Sequence, residues 1–140
     1  MVPIPPTILL VEDDTDDAVL IELALQRARL ACQVHRVSTA ESARDYLERR
    51  GMYRDYPLPI LIITDLTLDR GGDSGLDFLK WLRESRFGSI PVVAVTGSEH
   101  PANIAEARNL VLACLRKTPL FEDLADLAQR IVEDDLGGGS

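Results

Sequence analysis

The stretch "PILIIT", residues 59–64, is the strongest signal for a buried strand in the chain, because it is a continuous apolar run rich in β-branched residues. Asp65 follows it directly. Other runs of this kind lie at residues 8–11, 91–95 and 111–115, and a half-polar one lies at 34–37. A helix-like segment follows each run. The pattern therefore predicts an α/β fold in which strands and helices alternate.

Five strands, each followed by a helix, predict a doubly wound parallel sheet with five helices on its two faces. The strand order expected for this count is 2-1-3-4-5, the flavodoxin-like order. We expect Asp14 or Thr15 to cap the first helix, and Leu20 to lie on its core face. The second helix is expected to begin after Thr39 and to be closed by Gly51.

The chain has 140 residues and a formal net charge of −8, which fits one globular domain and disfavours nucleic acid or an anionic membrane as a partner. We place the domain at residues 7–136, between a proline-rich lead-in at 1–6 and a flexible Gly/Ser tail at 137–140. The sequence has no apolar run that could cross a bilayer and no signal-peptide pattern. These features predict a cytoplasmic protein whose Cys32 and Cys114 are buried, free thiols.

Side chains with acid, hydroxyl or amine chemistry follow four of the predicted strands. They are Glu12, Asp13 and Asp14 after the first strand, Asp65 after the third, Thr96 after the fourth and Lys117 after the fifth. Because the carboxyl ends of parallel strands open onto one edge of the sheet, we expect these side chains to converge. Carboxylate oxygens suit a hard divalent cation such as Mg²⁺. Asp65 could then attack a phosphoryl group whose oxygens contact Lys117 and Thr96.

Four motifs in a fixed order carry a resemblance to a known family. They are "LLVEDD" (9–14), "LIITDL" (61–66), "PVVAVTGS" (91–98) and "LRKTP" (115–119). With these spacings the chain resembles the receiver domain of two-component response regulators, of the single-domain, chemotaxis-regulator-like kind. Each motif alone is a weak signal, but the ordered set is specific.

The resemblance implies that Asp65 accepts a phosphoryl group from a sensor histidine kinase in a phosphorelay. It also implies a site for Mg²⁺, with Mn²⁺ as the alternative ion, formed by Glu12, Asp13, Asp65 and the backbone carbonyl of Thr67. In this family pattern Asp13 is the direct ligand of the pair, and Glu12 acts through water. Such a protein catalyses only its own phosphorylation and dephosphorylation, so we do not expect an enzyme that turns over other substrates.

The resemblance further implies that Thr96 is the switch hydroxyl and that Lys117 contacts the phosphoryl group. Three features depart from the family pattern. Cys114 stands where an aromatic residue is usual, Thr118 stands where proline usually follows the lysine, and the loop at 67–75 is longer than usual. Because of the first departure, the resemblance does not imply an aromatic readout of the switch for this chain.

We expect the output to be a protein contact, either with a downstream target or with a phosphotransfer protein, and not a DNA-binding event. The surface for it would be the fourth helix, fifth strand and fifth helix, where a homodimer could also form. Val19 and Leu23 are apolar residues of the first helix that fall outside its core face. We interpret them as part of the surface that docks on the kinase, against the plain alternative of scattered surface residues.

Two other functions fit parts of the sequence. A Mg²⁺-dependent phosphohydrolase would also use Asp65 as its nucleophile, but Thr67 stands where that class needs a second acid. A calcium-binding loop at 65–76 fails because Arg70 replaces the turn glycine and Leu76 replaces the bidentate acid. The structural alternative for the first acidic cluster is a charged helix start.

Overall fold

The structure, a computed structural model, describes residues 5–66, 74–97, 101–116 and 126–133. These residues contain the strands β1 (Thr7–Val11), β2 (Gln33–Val37), β3 (Leu61–Asp65), β4 (Val92–Thr96) and β5 (Ala113–Arg116). The helices are α1 (Thr15–Arg27), α2 (Ala40–Glu48), α3 (Gly75–Glu84), α4 (Pro101–Arg108) and a segment at 126–133, which we call α5. A short 3₁₀ turn, Gly51–Tyr53, follows α2.

The five strands form one parallel sheet in the order β2-β1-β3-β4-β5. The predicted doubly wound, flavodoxin-like fold is therefore confirmed. Within the sheet, Val11 of β1 pairs with Thr64 of β3, and Asp65 pairs with Val95 of β4. This register brings the ends of β1, β3 and β4 to the same level, so the residues that follow these strands share one edge.

Alternate residues of the central strands pack into two separate layers of core, one on each face of the sheet. Ile8 and Leu10 belong to a cluster that includes residues of α1 and α5. Leu9 and Val11 belong to a cluster on the other face, with residues of α2, α3 and α4. Because both faces are covered, the strands read as continuous apolar runs and not as alternating ones.

Side-chain caps begin three of the helices. The carboxylate of Asp14 accepts a hydrogen bond from the backbone N–H of Asp17 at 2.9 Å, so Asp14, the first of the two predicted caps, is the N-cap of α1. Thr39 and Ser74 cap α2 and α3 in the same way. Each cap satisfies a backbone donor that the helix leaves without an internal partner, which stabilises a helix by about 1 kcal/mol.

Two expectations about helices were wrong. Leu20 is 47% exposed, because the buried stripe of α1 runs through Ala18, Ile21 and Leu25, and Leu20 lies beside it. The helix α2 ends before Gly51. Arg49 takes the left-handed conformation at its C-cap, with φ of 57°, while Gly51 begins the 3₁₀ turn.

Both cysteines are free, as predicted, but they are only partly buried. Cys114 lies in β5 at the edge of the sheet, where it pairs with Ala94 and packs against one core cluster. Cys32 precedes β2 at the opposite edge of the sheet and packs against the other cluster. Desolvation raises the pKa of both thiols, which keeps them protonated and unreactive.

An aromatic cluster ties β2 to α2 and to the segment before β3. The hydroxyl of Tyr46 and Nδ1 of His35 share a hydrogen bond of 2.7 Å, and Tyr53 and Tyr56 pack around them. Burial, with the neighbouring phenols, raises the pKa of Tyr46 to about 12, and desolvation lowers the pKa of His35. Both groups are therefore neutral near pH 7, which suits a structural role.

Candidate functional site

Three carboxylates meet at the carboxyl edge of the sheet. Glu12, Asp13 and Asp65 each present an oxygen atom that lies within 4.8 Å of those of the other two. Glu12 is 0% exposed and Asp65 is 3% exposed, while Asp13 is partly exposed. Three carboxylates this close repel one another unless a cation lies among them, because burial removes the screening by water.

The sheet fixes the backbone on either side of this cluster. The N–H of Glu12 donates to the carbonyl of Val37 at 3.0 Å, which extends the pairing of β1 and β2 beyond the end of β1. The N–H of Leu66 donates to the carbonyl of Val95 at 3.1 Å, which does the same for β3 and β4. The acidic residues are thus held by the ladder of the sheet, and their separation is set by the strand register.

Thr96 ends β4 and is 2% exposed. Asp65 pairs with Val95, so Thr96 lies one residue further towards the carboxyl edge on the neighbouring strand. Thr96 itself pairs with Arg116, the last residue of β5. The structure therefore places Thr96 at the same edge as the three carboxylates, as the sequence predicts.

Two of the predicted site residues lie outside the described part of the chain. Lys117 follows directly after β5, and Thr67 is two residues past Asp65. Their roles as the phosphoryl-contacting amine and as the source of a metal-binding carbonyl stay predictions. Asp14, in contrast, is exposed and caps α1. Asp16 and Asp17 lie in the first turn of α1, where the helix dipole favours acids.

Gly75 begins α3 and touches the backbone of Asp65, a contact that the sequence did not reveal. A Cβ atom at this position would lie 2.1 Å from the carbonyl oxygen of Asp65 and 2.7 Å from Cα of Leu66. Only glycine allows α3 to begin this close to the end of β3. The start of α3 therefore supports the backbone that carries the Asp65 carboxylate.

Arg36 is a second residue that the sequence analysis missed. It lies in β2, and its Nε donates a hydrogen bond of 3.0 Å to the backbone carbonyl of Glu12. The only signal for it in the sequence was the half-polar character of β2, which indicates an edge strand and no particular partner.

The donor set fits a hard divalent cation. All three side chains offer carboxylate oxygens, the ligands that Mg²⁺ and Mn²⁺ prefer, and the described residues add no sulfur or imidazole ligand to the group. A cation bound among the oxygens would also offset their mutual repulsion. The cluster therefore fits divalent-metal binding.

A parallel sheet of this order with an acidic cluster at its carboxyl edge is the arrangement expected from the resemblance to a receiver domain. The family model for the response regulator receiver domain matches residues 8–128. The chain belongs to this family.

Similar proteins support the assignment. The response regulator Rcp1 of Synechocystis sp. is 29% identical over 129 residues, which cover 91% of this chain and 86% of that protein. A crystal structure of the Mn²⁺-bound form of Rcp1 matches with a TM-score of 0.77, covering 93% of both chains at 29% identity. The "Probable methanogenesis regulatory protein FilR2" of Methanothrix harundinacea is 35% identical over 136 residues, covering 95% of this chain and 85% of that protein.

A crystal structure of the phosphorylated cyanobacterial phytochrome response regulator RcpA is similar as well. Its TM-score is 0.78 at 28% identity, and the match covers 97% of both chains. Among the described residues of our chain, no helix combines the length and the apolar character needed to span a membrane.

Proposed function

We propose that this protein is the phosphoryl-accepting response regulator of a histidine-kinase phosphorelay and that Asp65 is the acceptor. The observation that carries the proposal is the meeting of Glu12, Asp13 and Asp65 within 4.8 Å at the carboxyl edge of the sheet. Family membership supports it, as does the phosphorylated state named for RcpA. We propose residues 7–136 as the extent of the receiver domain.

Asp65 supplies the nucleophile. One of its carboxylate oxygens attacks the phosphorus of the phosphohistidine, the bond from phosphorus to the histidine nitrogen breaks, and an aspartyl phosphate forms. Lys117 and Thr96 would contact the phosphoryl oxygens, as the resemblance implies. Hydrogen-bond donors and cations that are already in place would lower the barrier to this transfer, because they need not reorganise as charge develops on the phosphoryl oxygens.

The metal site of the proposal consists of Glu12, Asp13, Asp65 and the backbone carbonyl of Thr67. A bound Mg²⁺ or Mn²⁺ would neutralise charge on the phosphoryl oxygens. Mn²⁺ in the Rcp1 structure supports a divalent ion but does not choose between the two metals. The chain's own part is to hold three carboxylates close together before the phosphodonor arrives.

The direct test uses acetyl phosphate, a small phosphodonor that needs no kinase. Wild-type protein incubated with it in Mg²⁺ is expected to gain one phosphoryl group by intact mass, while the same incubation in EDTA should give no gain. If the protein gained nothing in Mg²⁺ or in Mn²⁺, the proposed function would be wrong. Equal labelling in EDTA would contradict the role of the metal.

A Mg²⁺-dependent phosphohydrolase remains the alternative that uses the same nucleophile. It differs in turnover, because a hydrolase would release phosphate from small phosphoesters at a steady rate. We propose instead that the protein catalyses only its own phosphorylation and dephosphorylation. Sustained release of phosphate from p-nitrophenyl phosphate would favour the alternative.

We propose that the first helix docks on the kinase. Three apolar residues of α1 are about half exposed: Val19 (47%), Leu20 (47%) and Leu23 (46%). Their helical spacing places them in one apolar patch, in the first turns of the helix that follows Glu12 and Asp13. Because Leu20 is exposed and does not lie in the core, the patch is larger than the sequence predicted from Val19 and Leu23 alone. An exposed apolar patch beside a reactive site is typical of a surface that a partner covers.

Replacing Val19 and Leu23 together with lysine is expected to slow phosphotransfer by about tenfold, measured with a histidine kinase that labels the wild type, since the two lysine charges would lose hydration in the apolar contact. Labelling by acetyl phosphate should stay unchanged, because the site itself is intact. Met52→Lys is the matched control, because Met52 is 74% exposed and lies in the 3₁₀ turn after the C-terminus of α2. Equal kinase rates for the double variant and the wild type would refute the docking proposal.

The remaining parts of the proposal concern output and location. We propose that phosphorylation changes contacts with a downstream protein or a phosphotransfer protein, through the face formed by α4, β5 and α5, where a homodimer would also form. The net charge of −8 disfavours DNA or an anionic membrane as the target. We propose a cytoplasmic location, where a sensor kinase would present its phosphohistidine.

A further inference from the structure

The edge strand β2 holds Glu12 at both of its backbone polar groups. The N–H of Glu12 donates to the carbonyl of Val37, and the carbonyl of Glu12 accepts from Nε of Arg36, each at 3.0 Å. Arg36 pairs with Leu10 in the register of the sheet, two residues before Glu12, so its side chain reaches along the strands towards the carboxyl edge. A side chain thus takes part in fixing the chain just beyond the end of β1.

The carbonyl that Arg36 holds belongs to the peptide group between Glu12 and Asp13. This carbonyl marks the orientation of the peptide, which the ψ angle of Glu12 and the φ angle of Asp13 set. A change of either angle that the other does not compensate would move the Asp13 carboxylate relative to Glu12 and Asp65. In the observed orientation of the backbone, oxygen atoms of the three carboxylates lie within 4.8 Å of one another. A hydrogen bond from a charged donor is stronger than a neutral one, so it restrains the peptide more firmly.

We propose that Arg36 is a positioning residue of the divalent-metal site, acting through the Glu12–Asp13 peptide. The inference rests on the metal site of the proposed function. It adds a residue 24 positions away from Glu12 along the chain, on a strand that contributes no metal ligand. Groups that orient metal ligands typically change metal affinity by about 10–100-fold when they are removed.

A second effect of Arg36 has the opposite sign, which makes the proposal testable. The guanidinium is a permanent cation, so on charge alone its removal should strengthen the binding of another cation. If Arg36 acts by positioning, its removal should weaken that binding. The direction of the change therefore separates the two roles.

The experiment measures Mn²⁺ affinity by the EPR signal of the free ion, on unphosphorylated protein without a phosphodonor. Arg36→Met keeps the apolar stem and removes the donor, and it is expected to weaken Mn²⁺ binding about tenfold. Arg36→Lys keeps the charge and one donor group, and it should fall between wild type and Arg36→Met. Arg54→Met is the matched control for lost charge, because Arg54 is exposed and lies beyond the far end of α2.

If Arg36 had only a structural role, Arg36→Met would lower the midpoint of urea unfolding and leave the Mn²⁺ affinity of the folded protein unchanged. Arg36→Met that binds Mn²⁺ as tightly as wild type, or more tightly, would overturn the inference while leaving the metal site intact. Wild type that fails to bind Mn²⁺ would overturn the metal site of the proposed function and the inference with it. Should Arg36→Met not fold, Arg36→Lys decides, and an affinity equal to that of wild type overturns the inference.

Discussion

Asp65→Asn is expected to abolish labelling by acetyl phosphate. The amide keeps the shape of the side chain but has no anionic oxygen to attack phosphorus. The conservative exchange matters because Asp65 is 3% exposed and a larger change would disturb the packing. Intact mass after incubation in Mg²⁺ should show one phosphoryl group on the wild type and none on the variant.

The loss should not come from unfolding. Removing one of three clustered carboxylates relieves repulsion in the metal-free protein, so the urea midpoint of Asp65→Asn is expected to equal or exceed that of wild type. Asp16→Asn is the matched control, because it is the same substitution at an exposed position in the first turn of α1. Labelling of Asp65→Asn to the level of this control would contradict the role of Asp65.

Gly75→Ala is expected to lower the free energy of unfolding by about 1–3 kcal/mol and to slow labelling. The new methyl group would overlap the carbonyl oxygen of Asp65, at 2.1 Å, and backbone atoms of Leu66. Backbone cannot rotate out of the way as a side chain can, so either α3 or the end of β3 must move. Urea unfolding measures the first effect, and the rate of phosphoryl gain measures the second.

Gly88→Ala is the control that separates crowding in general from crowding at Asp65. Gly88 follows the C-terminus of α3, and the site lies at the N-terminus of this helix. A Cβ atom at Gly88 would lie 2.9 Å from the carbonyl oxygen of Arg83. This variant should lose stability and keep the labelling rate of the wild type. Gly75→Ala that is as stable as wild type and is labelled as fast would show that the close contact does not support Asp65.

The fold was predictable because its signals are local. Runs such as residues 8–11 and 61–64 are apolar on both faces, and a covered parallel sheet is the structure that buries both faces. The convergence of Glu12, Asp13 and Asp65 followed from the same step, since parallel strands end at one edge. These predictions required only the order of the elements and the direction of the strands.

The contacts that hold the site in place could not be predicted in this way. Gly75 looks like any glycine of a loop until the start of α3 is placed against Asp65. Arg36 looks like a polar residue of an edge strand until β2 is placed beside β1. The exposure of Leu20 likewise depends on how α1 is rotated against the sheet, which the apolar pattern of a helix with many aliphatic residues does not define.

Borohydride trapping shows whether Asp65 carries the phosphoryl group. Borohydride reduces an aspartyl phosphate to homoserine, which peptide mass mapping then locates in the chain. After incubation with acetyl phosphate and Mg²⁺, we expect homoserine at position 65 and unmodified aspartate at positions 13 and 14. Homoserine at another aspartate, or none anywhere in protein that has gained a phosphoryl group, would show that Asp65 is not the acceptor.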